Sequence, residues 1–397
     1  MKEAVERIVC PTDEDNLRNS EGSVIDLADG SLLLAYTRFR GGSSSDFAPS
    51  DVATCFSTDG GRTWTQPGIV ACGPENGNLL SVSLLRLGSG AIAMFYHRLS
   101  FEKGPGYARG NMDDVDMVLL QQLMKLSHDD GRTWSEERDI SFPPGEGAGM
   151  LLNDCAVRLA SGRIILPNYQ GLSPYDNSIE FVQPLISDDD AQTWHRSRFR
   201  LSPKGVAGGL SESSIVERSD GSLLMTSRTG SGFVYYCESR DAGETWTRPR
   251  PTALPASGTP TSLRRIPGGD DIVLVWNQVG TEEWEWGVGR HRLTAAVSSD
   301  GGYTWGHRRN LESMDQRTYI PPAQGGPRRT ANRVIPADAR LEKMKELGLR
   351  DTGILVAEYS SLIFVGDVAV ITYDVAPSPG CALKLRILPT SWFYECE

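Results

Sequence analysis

An eight-residue phrase, Ser-x-Asp-x-Gly-x-Thr-Trp, returns along this chain too regularly for chance and constrains the fold more than any other feature. It is complete at residues 57–64 (STDGGRTW), 127–134 (SHDDGRTW), 239–246 (SRDAGETW) and 298–305 (SSDGGYTW), and stands at 187–194 (SDDDAQTW) with Ala191 in place of the glycine. The aspartates, Asp59, Asp129, Asp189, Asp241 and Asp300, recur roughly every 50 to 70 residues, the period of a propeller, solenoid or array. Each phrase reads as a folding device. Its Asp, Ser and Thr can bond the backbone of a tight turn, its Gly supplies positive φ, and its Trp packs between neighbouring sheets. These aspartates are therefore poor candidates for catalysis.

Upstream of every phrase, two apolar runs flank a Gly-containing turn and predict a β-hairpin. The five copies span 23–36, 80–96, 152–167, 214–226 and 262–276, and a sixth at 360–373 has no phrase after it. Six hairpins predict an all-β fold, a six-bladed β-propeller, as one domain over residues 1–397 with an insertion at 311–351 between blades five and six. Residues 382–394 supply the last strands, and residues 5–9 are placed to close the ring with them and remove open sheet edges. Within the insertion, Asp338 is expected to cap a short helix with Leu341, Met344 and Leu347 on one face, stopped by Gly348.

The formal net charge of −11 argues against nucleic acid or an anionic membrane as partner, since both need a basic footprint. Seven scattered cysteines with no C-x-x-C pair indicate neither a zinc site nor a disulfide framework. No apolar run reaches transmembrane length. The N-terminal stretch lacks the apolar core of a secretory signal, so a soluble protein is expected, cytoplasmic if this start is native and secreted or periplasmic if a signal has been removed. Asp113, Asp114 and Asp116 could hold calcium or belong to a solvated loop; no metal and no cofactor is called.

In a propeller, function concentrates in residues that the repeats do not share. Four places qualify: residues 37–51 with Arg38, Arg40 and Asp46; residues 210–229 with Glu212 and Arg228; residues 284–294 (WEWGVGRHRLT) with Arg290 and Arg292; and Tyr359, which opens the sixth hairpin (EYSSL). Trp284 and Trp286 could stack on a sugar or pack in the core.

With the five repeats, now recognisable as Asp boxes, these departures resemble the sialidase (neuraminidase) superfamily over essentially the whole chain. Glu212 and Arg228 match a hairpin of the form S-E-x-x-x-V-E-x-x-D-G closed by Arg, Arg290 matches R-x-x-L-T-x-x-x-S-x-D-G-G, and Tyr359 matches Y-S-x-L-x-x-x-x-D. The resemblance implies an exo-acting glycosidase with Tyr359 as nucleophile, Glu212 as its base, Asp46 as acid/base, and Arg228 and Arg290 holding an acidic sugar. A neutral Tyr suits a substrate whose anomeric carbon bears a carboxylate, because a carboxylate nucleophile would be repelled. Arg292 competes with Arg290 for the same assignment.

One departure stands out. Where the family opens its first hairpin with F/Y-R-I-P, this chain reads NSEGS, and Glu21 occupies roughly the place of the first carboxylate-binding arginine. Arg18, Arg38 or Arg98 is then needed to neutralise it. Two other functions stay open: a non-catalytic propeller binding glycan or protein, and a hydrolase or lyase for a non-sialic sugar.

Overall fold

A computed structural model describes residues 4–103, 115–141, 149–170, 181–201, 206, 208–322, 335–350, 352–354, 356–376 and 380–395. The chain forms six four-stranded antiparallel sheets, the blades of a β-propeller. Blade I runs Asn19–Asp26, Leu32–Phe39, Ser50–Ser57 and Gly68–Ala71; blade II runs Gly77–Arg86, Ile92–Lys103, Val115–Ser127 and Arg138–Asp139. Blade III has shorter strands, Val157–Arg158, Ile164–Leu166, Leu185–Ser187 and His195–Arg196, and an extra ladder of Tyr169–Gln170 with Phe181–Val182. Blade IV is Ser211–Glu217, Leu223–Arg228, Phe233–Ser239 and Arg250–Pro255, and blade V is Ser262–Arg265, Ile272–Asn277, Leu293–Ser298 and Gly306–Glu312. Blade VI takes Ala357–Val365, Val368–Val375 and Ala382–Pro389 from one end of the chain and Val5–Cys10 from the other. All six hairpins and the closing pairing follow the sequence expectation.

The first strands of the blades stand around the axis, and a ring of serines ties them together. Ser23 Oγ accepts the Leu84 amide of blade II, Ser83 Oγ the Ala156 amide of blade III, and Ser214 Oγ the Leu263 amide of blade V. Each bond satisfies a buried backbone donor that a neighbouring strand cannot reach. Deeper still, buried Asp154 accepts hydrogen bonds from Ser23 Oγ at 2.9 Å, the Leu362 amide at 3.0 Å and Arg264 Nη2 at 2.5 Å. One carboxylate thus connects blades I, III, V and VI.

The Asp boxes lie at the outer turns, before the fourth strands. In the first, Ser57 Oγ donates to Asp59 Oδ1 and accepts the Gly61 amide, while the amide and hydroxyl of Thr63 bond the two Asp59 oxygens at 2.8 and 2.6 Å. Gly131 shows why glycine belongs here: its φ is +83°, and an added Cβ would sit 2.6 Å from Leu33 of blade I. Ala191 holds the same left-handed position at φ +69°. The tryptophans pack between blades as expected; Trp194 meets Phe95 of blade II edge to face at 5.7 Å.

The threonine hydroxyl, then its amide, holds Asp59, Asp129 and Asp189 down at about 2, against an ordinary 3.8. Because folding depresses these pKa values, their stabilisation is complete above the ordinary value and is lost as pH falls towards 2. Thermal unfolding followed across that window should therefore show a falling midpoint, with a shallower fall in Asp129→Asn. An identical pH slope in the variant would refute this account.

The insertion contains the helix Ala337–Glu346, but Pro336 occupies its N-cap and Asp338 lies in the first turn. Met344 is buried against Val288, Met314 and Leu349, with Leu347 at the margin, whereas Leu341 is exposed. The face is therefore narrower than expected, because Leu341 points away from that small cluster. Six cysteines among the described residues are free thiols, four of them buried. Among the described residues, no helix is long and apolar enough to cross a membrane. Asp113 and Asp114 lie outside the described residues, and Asp116 is placed by its backbone alone, opposite Glu102.

Candidate active site

The first strands of blades I, II, IV and VI each carry a bulge at the same height, interrupting the register between Ser20 and Ser23, Leu80 and Ser83, Ser211 and Ser213, and Glu358 and Ser361. The bulges hold Glu21 at φ +55°, Ser81 at +60°, Glu212 at +24° and Tyr359 at +52°. Left-handed backbone costs a non-glycine residue about 1–2 kcal/mol, and such strain collects where a fold aims side chains for function. Glu21 meets Ser81 and Glu212 meets Tyr359 across blades, so the bulged side chains converge at the axis.

Tyr359 Oη donates to Glu212 Oε1 at 2.8 Å. The other oxygen of Glu212 accepts from Arg228 Nη1, which also lies 3.3 Å from Tyr359 Oη. Arg228 ends the strand beside the Glu212 bulge and pairs in register with Ser211. Burial, and then the Glu212 charge, push the Tyr359 hydroxyl well above its ordinary value, with Arg228 pulling the other way. The resting group is thus a neutral phenol hydrogen-bonded to an acceptor. Asn153 fixes the backbone beneath it, donating to the carbonyls of Gly22 at 2.8 Å and Tyr359 at 3.1 Å.

Asp46 is exposed on the loop between the second and third strands of blade I, where Arg18 pairs with it. Phe47 anchors the loop, meeting Phe101 edge to face at 5.4 Å within a cluster containing Phe39 and Leu80. Arg18 also reaches Glu21 Oε1 at 3.3 Å, and Ser81 Oγ donates to Glu21 Oε2 at 2.6 Å. Burial raises the Glu21 carboxyl; Arg18 and Ser81 oppose it, and the charges of Asp46 and Glu212 add to it. Arg18 thus links the Asp46 loop to the Glu21 bulge.

Arg290 approaches from blade V and pairs with Glu358, the residue before Tyr359. Its backbone is fixed by the Ala357 amide at 2.8 Å, and Asn277 Nδ2 bonds both the Arg290 carbonyl and the Ala357 carbonyl. Val288, two residues earlier, is braced by Met344 of the insertion helix. Burial separates the two arginines of this segment. Arg292 is fully enclosed, held by Glu283 at 2.9 Å through two nitrogens and by Asp315 at 2.6 Å.

Arg38 and Arg98 are not among the side chains bonded to Glu21. Arg38 lies on the second strand of blade I, opposite Asn19 and Asp51. Arg98 pairs with Glu137, which also accepts from Tyr96 Oη at 2.6 Å. Neither contacts Glu21; Arg18 does. Trp284 is buried in the core, and Trp286 lies 5.7 Å from the Lys343 ammonium. A surface cleft of about 480 Å³ elsewhere, lined by Arg163, Asp188, Asp241 and Glu244 among others, lies on the Asp-box side of blades III and IV. Its Arg163 is already paired with Asp188 and Glu244.

Sequence reasoning missed Ser81, Glu358 and Asp374, whose Oδ1 accepts the Glu21 amide at 3.0 Å. A signal for Ser81 was present: Glu21, Ser81, Glu212 and Tyr359 each stand two residues before a serine of the first strand, Ser23, Ser83, Ser214 and Ser361.

The family model described as a BNR repeat-like domain matches residues 30–368. The sialidase of Micromonospora viridifaciens is 27% identical over 310 residues, covering 70% of this chain and 43% of that protein. The sialidase of Bacteroides fragilis is 24% identical over 311 residues, covering 71% and 53%. The chain thus spans about half the length of these curated relatives. The solved intramolecular trans-sialidase from Ruminococcus gnavus superposes with a TM-score of 0.69 over 99% of both chains at 17% identity.

Proposed function

Because the chain belongs to the BNR repeat-like domain family, within the sialidase superfamily, we propose that it is a retaining exo-glycosidase whose nucleophile is Tyr359. The observation that carries this reading is the hydrogen-bonded triangle of Tyr359, Glu212 and Arg228. In the first step Glu212 takes the phenolic proton as Tyr359 Oη bonds to the anomeric carbon. The bond to the leaving oxygen breaks, and protonated Asp46 supplies the proton that oxygen needs. In the second step Asp46 takes a proton from water, whose oxygen attacks the anomeric carbon. Tyr359 departs and recovers its proton from Glu212. Two displacements at one carbon give retention.

Asp46 suits the acid/base role by position, because an exposed loop can meet the aglycone. In this reading Arg228 keeps Glu212 oriented, and Arg290, beside Glu358, contacts the glycone. The sialidases among the relatives make a terminal acidic sugar the first glycone to test.

Fluorinated sugars that trap the glycosyl-enzyme test the mechanism. At least one of difluorosialic acid and a panel of neutral 2-fluoroglycosyl fluorides should add one glycosyl mass to the peptide containing Tyr359, without labelling Tyr359→Phe. A label on Glu212 or Asp46 would assign the nucleophile elsewhere, and the absence of any label across the panel would favour a glycan-binding propeller without catalysis.

A further inference from the structure

We propose that the glycone bound at the axis is an uncharged sugar rather than a sialic or uronic acid, a reading that rests on the glycosidase assignment above. Arg228 touches Tyr359, Arg290 pairs with the residue before it, and Arg18 holds the Glu21 bulge, and each already serves a carboxylate: Arg228 bonds Glu212, Arg290 bonds Glu358, and Arg18 bonds both Asp46 and Glu21. A carboxylate-bearing sugar is gripped by guanidinium groups free to fork onto it. Here it would have to displace a protein carboxylate, and Glu21, Glu212 and Glu358 are each buried enough that being left unpaired is costly.

The balance of charge points the same way. Four carboxylates, Glu21, Asp46, Glu212 and Glu358, stand against the three arginines, with buried Asp374 directly behind Glu21. One more negative charge a few ångströms from such a group, at the effective dielectric of a protein surface, weakens binding by about a thousandfold.

Glu21 decides what replaces the anion. Its bulge aims it at the axis, and Ser81 and Arg18 fix its two oxygens. A held carboxylate is an acceptor matched to sugar hydroxyls. Glu21 and Glu358 therefore favour a glycone that offers hydroxyl groups where a sialic acid offers its own carboxylate.

Two measurements test this on the whole chain. The first compares kcat/KM for fluorogenic neutral glycosides, hexosides, deoxyhexosides and pentosides of both anomers, with those for the sialoside and the uronides. The second titrates the carboxylate-bearing unsaturated glycal of N-acetylneuraminic acid into wild type and Glu21→Gln/Glu358→Gln by calorimetry. Neutral glycosides should be favoured by about a hundredfold or more, and the glycal should bind the double variant at least about tenfold more tightly than wild type. Should the double variant not fold, Glu358→Gln alone, which frees Arg290, should show the same direction. A preference for the sialoside or a uronide, glycal binding no weaker in wild type than in the variant, or labelling of Tyr359 by difluorosialic acid alone would overturn the inference and leave the glycosidase reading intact. If no glycoside is cleaved and no fluorosugar labels the protein, the glycosidase reading fails and the inference with it.

Discussion

Tyr359→Phe should lower kcat by about three orders of magnitude or more on any glycoside that the wild-type protein hydrolyses, with a much smaller change in KM. Only one oxygen is removed, but the proposed bond to the anomeric carbon is made through it. The ring keeps its place, because Asn153 holds the Tyr359 carbonyl at 3.1 Å and the side chain packs beside the core between blades II and III. Steady-state kinetics with a thermal melt as control measure the effect. Retention of kcat within tenfold of wild type would remove Tyr359 from the chemistry. Loss of both kcat and the cooperative melt would instead expose a structural role.

The second large effect concerns stability. Asp154→Ala should cost about 3–5 kcal/mol, the usual result of removing one partner of a buried ion pair. Asp154 is buried, and its loss abandons Arg264 Nη2, the Leu362 amide and Ser23 Oγ together. Burial alone raises the Asp154 carboxyl, more than Arg264, the Leu362 amide and Ser23 lower it. This carboxylate is therefore held in the interior at a cost and is retained for what it joins. Asp154→Asn keeps an acceptor for Leu362 and Ser23 and should fall between wild type and Asp154→Ala. Equilibrium denaturation in urea measures all three, and a loss below about 1 kcal/mol in Asp154→Ala would show that the four blades are joined without it.

The architecture was legible because its signals are local and repeated. A Gly turn between two apolar runs specifies a hairpin, and an Asp box marks the turn after the third strand, so blades can be counted without knowing how they pack. Glu212, Arg228 and Tyr359 could be picked out because they break that repetition, and the structure brings them together. What escaped notice depends on pairings between distant segments. Arg98 pairs with Glu137 because the outer turn of blade II brings Glu137 beside Tyr96, which nothing near Arg98 announces. Arg18 reaches Asp46 only when a loop folds back over 28 residues. Asp154 looked like the start of an ordinary hairpin, since its partners come from Ser23, 131 residues earlier, and from Arg264 and Leu362, 110 and 208 residues later. Leu341 shows the opposite error, for its helical spacing was right but the cluster around Met344 is too small to cover it.

The pairing of Val5 with Ile387 and of Cys10 with Leu383 has a consequence for how the chain comes into being. Translation delivers residues 5–10 before the five blades that lie between them and their partner strand, so the earlier strand waits for its seat while those blades are made. During that wait its backbone groups are unpaired, and blade I lacks the neighbour against which Gly61 packs through Ile387. Contacts this remote in sequence are slow to form and leave a sticky edge in the meantime. The seam in blade VI is therefore the last part of the ring to close, and an incomplete chain would begin to aggregate there.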